Sequence, residues 1–444
     1  MKRRFLSLIL IAALLSVCLY GCGSSDTKPQ TPPETTVPTF SASIDGDALC
    51  DTKITGKVAA EAGSILSCQW YLDGKPLAGA VEKTLHVPVT ADGKKLKFTA
   101  ITKNGIAESE EITVIGAESE TRSMAGIFHD VKIIGRCIIQ DTAVTADFSA
   151  SGFEANLKVN SGDVKLNFKA HQNLYLAVYV DGKLTDRPRF DAGDRTLKIK
   201  VSAGAHTIKV LKETEVTTAG PSLTLNSLTF DGDILERPAD KELFIEYTGD
   251  SIVCGDGALG KYQYGKIWGL QDHSGTNSFA YFSAETLDAD YSLFARGGIG
   301  LLKPAGDYTM GDLYYRANLY RDDSTYTYPR TPDIIIMKLG SNDGTDDLPG
   351  FKLALERFID LIRTIHGSEP KLVWTGSNNQ QKNVMNEIIA ERSRTDKNLY
   401  AFCFAYGGSG SAALADQTAG HPDAAEQKAY GDALVQFLRD NNLV

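Results

Sequence analysis

The chain of 444 residues predicts a multidomain protein: two antiparallel β-sandwiches in series, the second of jelly-roll type, then a three-layer α/β domain on a parallel sheet. Three observations carry this expectation. Between about 40 and 238, short apolar runs alternate with turn signals, the pattern of antiparallel strands. From about 240 strands alternate with helical stretches, as in a parallel sheet with crossover helices. The length suits about three domains at ~150 residues each.

The N-terminus precedes all of these. Met1-Lys-Arg-Arg4 is positive, and Phe5 to Leu19 is an apolar stretch too short and wrongly flanked for a spanning helix. It ends in Leu19-Tyr20-Gly21-Cys22, which resembles a bacterial lipobox, although Tyr20 is bulkier than the usual occupant of its place. The expectation is a lipoprotein signal peptide over 1–21, lipid on Cys22, and a linker over 22–39 whose Thr/Pro-rich stretch from Thr27 to Pro38 is extended. That implies export and a lipid anchor on the bacterial cell surface, with the membrane contacted through the lipid. The alternative is an ordinary signal peptide with an incidental Cys.

Between 40 and 117, Ile65 to Leu72 meets Asp73-Gly74, and Leu96 to Thr102 precedes Asn104-Gly105; both are hairpin signals. The run Gln69-Trp-Tyr-Leu-Asp-Gly-Lys-Pro-Leu77 resembles bacterial immunoglobulin-like modules, in which a buried Trp, here Trp70, fills the sandwich. Its simplest role is that of a spacer. Between 120 and 238, Val164 to Phe168 alternates, and Leu174 to Val180 meets Asp181-Gly182. Leu197 to Val201 and His206 to Leu211 read as a hairpin about Gly204, and Leu223 to Phe230 is a last strand. Even spacing of this kind is that of a jelly roll.

The α/β domain spans 239–444. Its strands are expected at Leu243–Tyr247, Tyr291–Ala295, Asp333–Leu339, Lys371–Trp374 and Leu399–Phe404, and its helices at Ser278–Leu287, Phe351–Ile365, Asn383–Arg394 and Ala424–Asn441. Ligands on such sheets sit at the carboxyl ends of the strands.

Composition narrows the function classes. The formal net charge is −10, and without Lys2, Arg3 and Arg4 it is −13, which with no basic stripe argues against a nucleic-acid partner. Of seven cysteines, Cys18 leaves with the signal and Cys22 carries lipid. The five others (Cys50, Cys68, Cys137, Cys254 and Cys403) cannot all pair. Cys50 and Cys68 are able to bond each other, and two buried free thiols are the favoured reading. No Cys/His spacing suits zinc, so no metal or cofactor is expected.

Four motifs follow strand ends or precede the last helix: Thr248-Gly-Asp-Ser251, Arg296-Gly-Gly-Ile-Gly300, Gly340-Ser-Asn-Asp343 and Gly420-His-Pro422. Taken alone, Gly-Asp-Ser or Gly297-Gly298 is explained by a turn. Together they bring a Ser, a Gly-rich loop, an Asn and a His to one sheet edge, the inventory of acyl transfer. A Ser hydroxyl needs a base within reach, and the tetrahedral intermediate needs fixed donors. Ser251 N–H, Gly298 N–H and the Asn342 amide are the candidate donors.

In this order these motifs resemble the SGNH (GDSL) hydrolase superfamily. Phe244 to Gly257, with Val178-Tyr-Val-Asp-Gly-Lys183 and Ala203 to Glu215 before it, resembles carbohydrate esterase family two. The resemblance covers about 130–444. It implies an N-terminal jelly roll joined to an SGNH domain that removes acetyl groups from polysaccharides, without a cofactor. It further implies Ser251 as nucleophile, His421 as base, Gly298 and Asn342 as oxyanion donors, and Asp250 and Asp343 as loop-orienting residues. One departure stands out: the superfamily often carries an Asp three residues before the His, where this chain has Thr418, and Ala419 follows. The expectation is therefore a Ser–His dyad, with Asp416 a weak candidate third member. His206 and His366 read as structural, and His273 and Trp268 as candidates for an acceptor groove or for surface packing. Ile299, where relatives are often polar, is expected at the pocket rim. The missing Asp and Ile299 keep a second reading open: a non-catalytic carbohydrate-binding surface protein on an esterase scaffold.

Overall fold

The strands of the computed structural model fall into three sheets, traced over residues 37–116, 120–215, 221–260, 269–319, 325–376, 378–404 and 421–444. Cys22 and the signal segment lie outside these described residues, as do Trp268, Asp416, Thr418 and Ala419. Residues 39–444 form one compact unit, and no helix among the described residues is long and apolar enough to cross a membrane.

The first sheet runs from Thr39–Asp45 to Ile112–Thr113. Asp73 and Gly74 both have positive φ (48° and 71°), the geometry that lets a two-residue turn follow the strand twist, and Leu72 pairs with Lys75. Trp70 is fully buried, its ring 4.8 Å from Phe98, and its indole N–H donates to the Glu82 carbonyl at 2.9 Å. Cys50 and Cys68 are free thiols and only half-buried, because each stands at the margin of this core. The sheet is docked to the next one: Val89 N–H donates to the Gly126 carbonyl at 2.8 Å, and Thr90 Oγ1 to Asp130 at 2.5 Å.

The second sheet runs from Thr121–Ser123 to Leu223–Ile234 around a 19-residue strand, Gly152–Ala170. The expected hairpin over 197–211 is not formed. Gly204–Lys212 pairs with the first half of the long strand (Gly152 to Val159), and Gly193–Ile199 pairs with its second half (Val164 to Ala170). Irregular register between Val159 and Lys165 separates the two halves. Alternation reports which face a residue takes, not which strand lies beside it, so two amphipathic runs about a Gly read alike in either case.

The third sheet is wholly parallel, in the order Asp290–Ala295, Phe244–Gly249, Ile334–Lys338, Lys371–Gly376, Leu399–Cys403. The chain leaves Phe244–Gly249 for one neighbour and later returns on its other side. That strand is thus the switch point, where a crevice opens beyond the carboxyl ends. Phe279–Thr286 and Ala424–Asp440 pack together with one face of the sheet, and Leu348–His366 and Asn379–Arg392 with the other. Leu348–His366 begins three residues before the expected Phe351, because Asp347 caps it by accepting from Gly350 N–H and Pro349 suits the first turn.

A buried cation joins the second and third sheets. Arg136 donates to Glu246 Oε1 and Oε2 at 3.1 and 3.2 Å, and both side chains are fully buried. The guanidinium also donates to the Tyr314 and Arg316 carbonyls at 2.5 and 2.7 Å and stacks 3.8 Å from the Phe294 ring. Ile134, Ala150, Ala177 and Leu211 share a core cluster with Ile245 and Tyr247, so the β domain and the parallel sheet bury one apolar interior.

Candidate active site

Ser251 opens a single helical turn, Ser251–Cys254, directly after the switch-point strand. Gly249 is dictated by crowding: a Cβ there would lie 2.6 Å from the Lys338 carbonyl and 2.5 Å from Val253. Asp250 caps the turn by accepting from Ile252 N–H at 3.0 Å. Its second oxygen accepts from Lys338 Nζ at 3.2 Å, with both side chains 1% exposed. Lys338 also donates to Ser341 Oγ at 2.7 Å, so one ammonium ties the nucleophile turn to the Gly340–Asp343 loop. Lys338 was missed from sequence; the only signal is a lone cation ending the apolar run Ile334–Lys338.

His421 comes to Ser251 from 170 residues away. Its Nε2 lies 2.6 Å from Ser251 Oγ, hydrogen-bond reach for a base and its nucleophile. Three bonds set this approach: Ala424 N–H donates to the Ala258 carbonyl at 2.7 Å, and buried Gln427 donates to the Ile252 carbonyl at 3.1 Å while accepting from Phe279 N–H at 2.8 Å. Burial lowers the His421 pKa from its ordinary 6.5, against the opposing charges of Asp256 and Asp250. The imidazole is thus neutral at pH 7, the form that accepts a proton.

The donors expected for the oxyanion lie in loops held to this edge. Gly298 has φ +78°, and a Cβ there would meet nothing within 4 Å, so glycine is required by backbone conformation rather than by space. Asn342 donates from Nδ2 to the Ile299 carbonyl at 2.8 Å, which fixes the plane of its amide. Asp343 accepts from Leu301, Leu302 and Lys303 N–H at 3.0, 2.7 and 2.9 Å and so clamps the Gly-rich loop, as Asp250 orients the nucleophile turn. Buried Gln381 donates to the Gly340 and Gly344 carbonyls, each at 2.8 Å.

Ile299 and His273 depart from expectation, whereas His206 and His366 are structural as expected. Ile299 is not at a rim: it is fully buried with Leu301, Leu339 and Phe351, because the turn at Gly298 sends its side chain into the core. His206 pairs with Asp181 at 2.9 Å on a distant hairpin, and His366 meets Tyr314 Oη at 3.1 Å; both are away from Ser251. His273 is turned inward, its Nδ1 2.5 Å from buried Asp256. A separate cavity of about 710 Å³, lined by Ala78, His129, Ile133 and Tyr326 among others, contains none of the residues expected to act.

A serine hydroxyl and an imidazole in contact at the carboxyl edge of a parallel sheet, beside loops held by fixed hydrogen bonds, is an arrangement able to carry out acyl transfer. The comparisons with known proteins narrow this class. Residues 133–238 match the family model described as carbohydrate esterase 2 N-terminal. The chain is 23% identical over 266 residues to an acetylxylan esterase / glucomannan deacetylase of Cellvibrio japonicus, covering 57% of this chain and 72% of that protein. It is 28% identical over 232 residues to the cellulase/esterase CelE of Acetivibrio thermocellus, covering 48% of this chain and 26% of that one. It shares its fold with a family two carbohydrate esterase from Clostridium thermocellum solved in complex with cellohexaose. The TM-score is 0.64 at 20% identity, over 71% of this chain and 100% of that one. The resemblance to carbohydrate esterase family two therefore holds in both sequence and fold, and these similar proteins are enzymes that act on ester bonds. The N-terminal segment and the first sheet lie outside the family-model match.

Proposed function

We propose that this chain is a cell-surface serine esterase that removes O-acetyl groups from polysaccharide or oligosaccharide. The observation that carries the reading is the 2.6 Å contact between His421 Nε2 and Ser251 Oγ at the sheet's switch point. Ser251 Oγ attacks the acetyl carbonyl as His421 takes its proton. The developing oxyanion is received by Ser251 N–H, Gly298 N–H and the Asn342 amide, donors of a kind worth roughly 2.7–4 kcal/mol each. The tetrahedral intermediate expels the sugar oxygen, to which His421 returns the proton. Water, deprotonated by His421, then attacks the acetyl-enzyme, releasing acetate and restoring Ser251. In this reading Ser251 and His421 act as a dyad. The domains are 1–21 signal, 22–39 anchor and linker, 40–117 an immunoglobulin-like spacer, 120–238 a jelly roll and 239–444 the SGNH hydrolase domain, with Cys22 holding the body at the membrane. The similarity to esterases named for acetylxylan, glucomannan and cellulase activity supports an acetylated glycan as substrate.

The test is acetate release from acetylated xylan. Ser251→Ala is expected to abolish it, and retained turnover would sink the proposal. The second reading, a non-catalytic glycan binder, loses one of its two supports because Ile299 is buried away from any rim. A fluorophosphonate probe separates the two: the esterase is labelled at Ser251, whereas the binder is not labelled and still holds glycan.

A further inference from the structure

The β domain sends a carboxylate to the Gly-rich loop. Glu215, which follows the strand Gly204–Lys212, accepts from Gly297 N–H at 2.8 Å, one residue before the oxyanion donor Gly298. A Cβ on Gly297 would lie 2.7 Å from Glu215 Oε2 and 3.2 Å from Asp256 Oδ2, so two carboxyl groups close over this one peptide. Glu215 is held in turn: Gln172 Nε2 donates to its backbone carbonyl at 2.8 Å, and Asp256 is pinned by His273. None of these groups is used by the mechanism above.

We propose that Glu215, supplied by the β domain, is a positioning residue for the oxyanion loop, its carboxyl and the adjacent carboxyl of Asp256 closing on the Gly297 peptide so that Gly298 N–H faces the reacting carbonyl. The inference rests on the esterase reading of Ser251 and His421. Two carboxyl groups crowded onto one peptide favour holding a proton, since two bare carboxylates repel. Burial and then the neighbouring Asp256 carboxyl push Glu215 up to about 7. The groups facing the pair are the Gly297 N–H, the His273 imidazole, the Cys254 thiol, the buried Lys212 ammonium, which itself faces Asp147, and the His421 imidazole, on which Asp256 also acts. Burial is the largest single influence on His273 and works against its protonated form, but the bond to Asp256 together with the charges of Asp256, Glu215 and Asp272 raises its pKa. With one proton on the pair, a single negative charge remains opposite these cations. Losing that proton with rising pH adds a second charge beside the loop that must receive an oxyanion, and turnover falls.

The experiment measures kcat and KM on p-nitrophenyl acetate between pH 5.5 and 9 for the full chain and for Ser251→Ala, Glu215→Ala and Glu215→Gln. Glu215→Ala is expected to lower kcat tenfold or more with KM within threefold, since the loss is of contacts made in the transition state. Glu215→Gln accepts from Gly297 N–H and places an amide beside Asp256 without a titrating proton. It is expected to keep kcat within threefold at pH 6.5 and to lack the fall that the natural chain shows above about pH 7. A smaller loss in Glu215→Ala, or a Glu215→Gln profile identical to the natural one, overturns the proposal. If Glu215→Ala fails to fold, the Glu215→Gln profile decides alone. Retained turnover in Ser251→Ala sinks the esterase reading instead, and is distinguishable because it leaves no serine chemistry to position.

Discussion

Lys338→Met removes the ammonium that joins the nucleophile turn to the Gly340–Asp343 loop. Lys338 and Asp250 are each 1% exposed and 3.2 Å apart, so the variant leaves a buried carboxylate with Ile252 N–H as its remaining partner in this contact set. Removing one member of a buried pair costs about 3–5 kcal/mol, far more than the net worth of the pair. At roughly 2–4 °C per kcal/mol for a domain of ~200 residues, the melting temperature should fall by about 6–20 °C. Asp250→Asn combined with Lys338→Met removes both charges and should recover at least about 2 kcal/mol of the single-variant loss. Differential scanning calorimetry on all four members of the cycle measures this. A Lys338→Met shift under 2 °C, or a double variant whose loss equals the sum of the singles, refutes the account of Lys338 as the tie.

Three further outcomes are expected. Because burial lowers the His421 pKa, kcat/KM should stay full at pH 7 and fall only as His421 gains a proton below the ordinary 6.5; a pH–rate profile with its acid midpoint above 6.5 contradicts this. Gly298→Ala meets no atom but forces a side chain to φ +78°, so it should cost about 1–2 kcal/mol of stability in a denaturant titration. With its N–H displaced, kcat should fall roughly 100-fold, and unchanged kinetics would remove Gly298 from the oxyanion site. Asp416→Asn should change kcat less than threefold under the dyad reading, whereas a loss of several orders of magnitude would establish a triad.

Local chemistry made much of this architecture legible in sequence. Asp73-Gly74 and Asp181-Gly182 form their turns with positive φ at both residues, as two-residue hairpins require. The apolar run at Ile334–Lys338 is a strand buried on both faces, and Phe279–Thr286 and Ala424–Asp440 fall within a residue or two of the expected helices. Helix starts were less legible at Asn379–Arg392, where Asn378 caps a first turn of polar residues that carry no apolar period. What sequence reasoning missed is long-range. Gly193–Ile199 and Gly204–Lys212 find partners in one long strand rather than in each other. Lys338, Gln427 and Glu215 matter through contacts with residues tens to more than a hundred positions away, and nothing in their neighbourhoods signals this. Ser251 and His421 were legible because their motifs sit at predictable strand and helix ends, which the topology then brings together.

The Arg136–Glu246 pair bears on how such a chain can be inherited. A recombination event near residue 238 that joined the parallel-sheet half to an unrelated β domain would strand Glu246 in the interior beside Tyr314, with no cation to meet it. It would also split a shared apolar interior and discard Glu215. The first sheet is tied to the second through buried contacts of its own: Val89 packs against the second sheet's core and donates to the Gly126 carbonyl, Thr90 donates to Asp130, and His129 meets the Ala78 carbonyl. The buried ion pair, the shared apolar interior and Glu215 thus make the stretch from the second sheet to the C-terminus one physical unit, whose halves are each incomplete without the other.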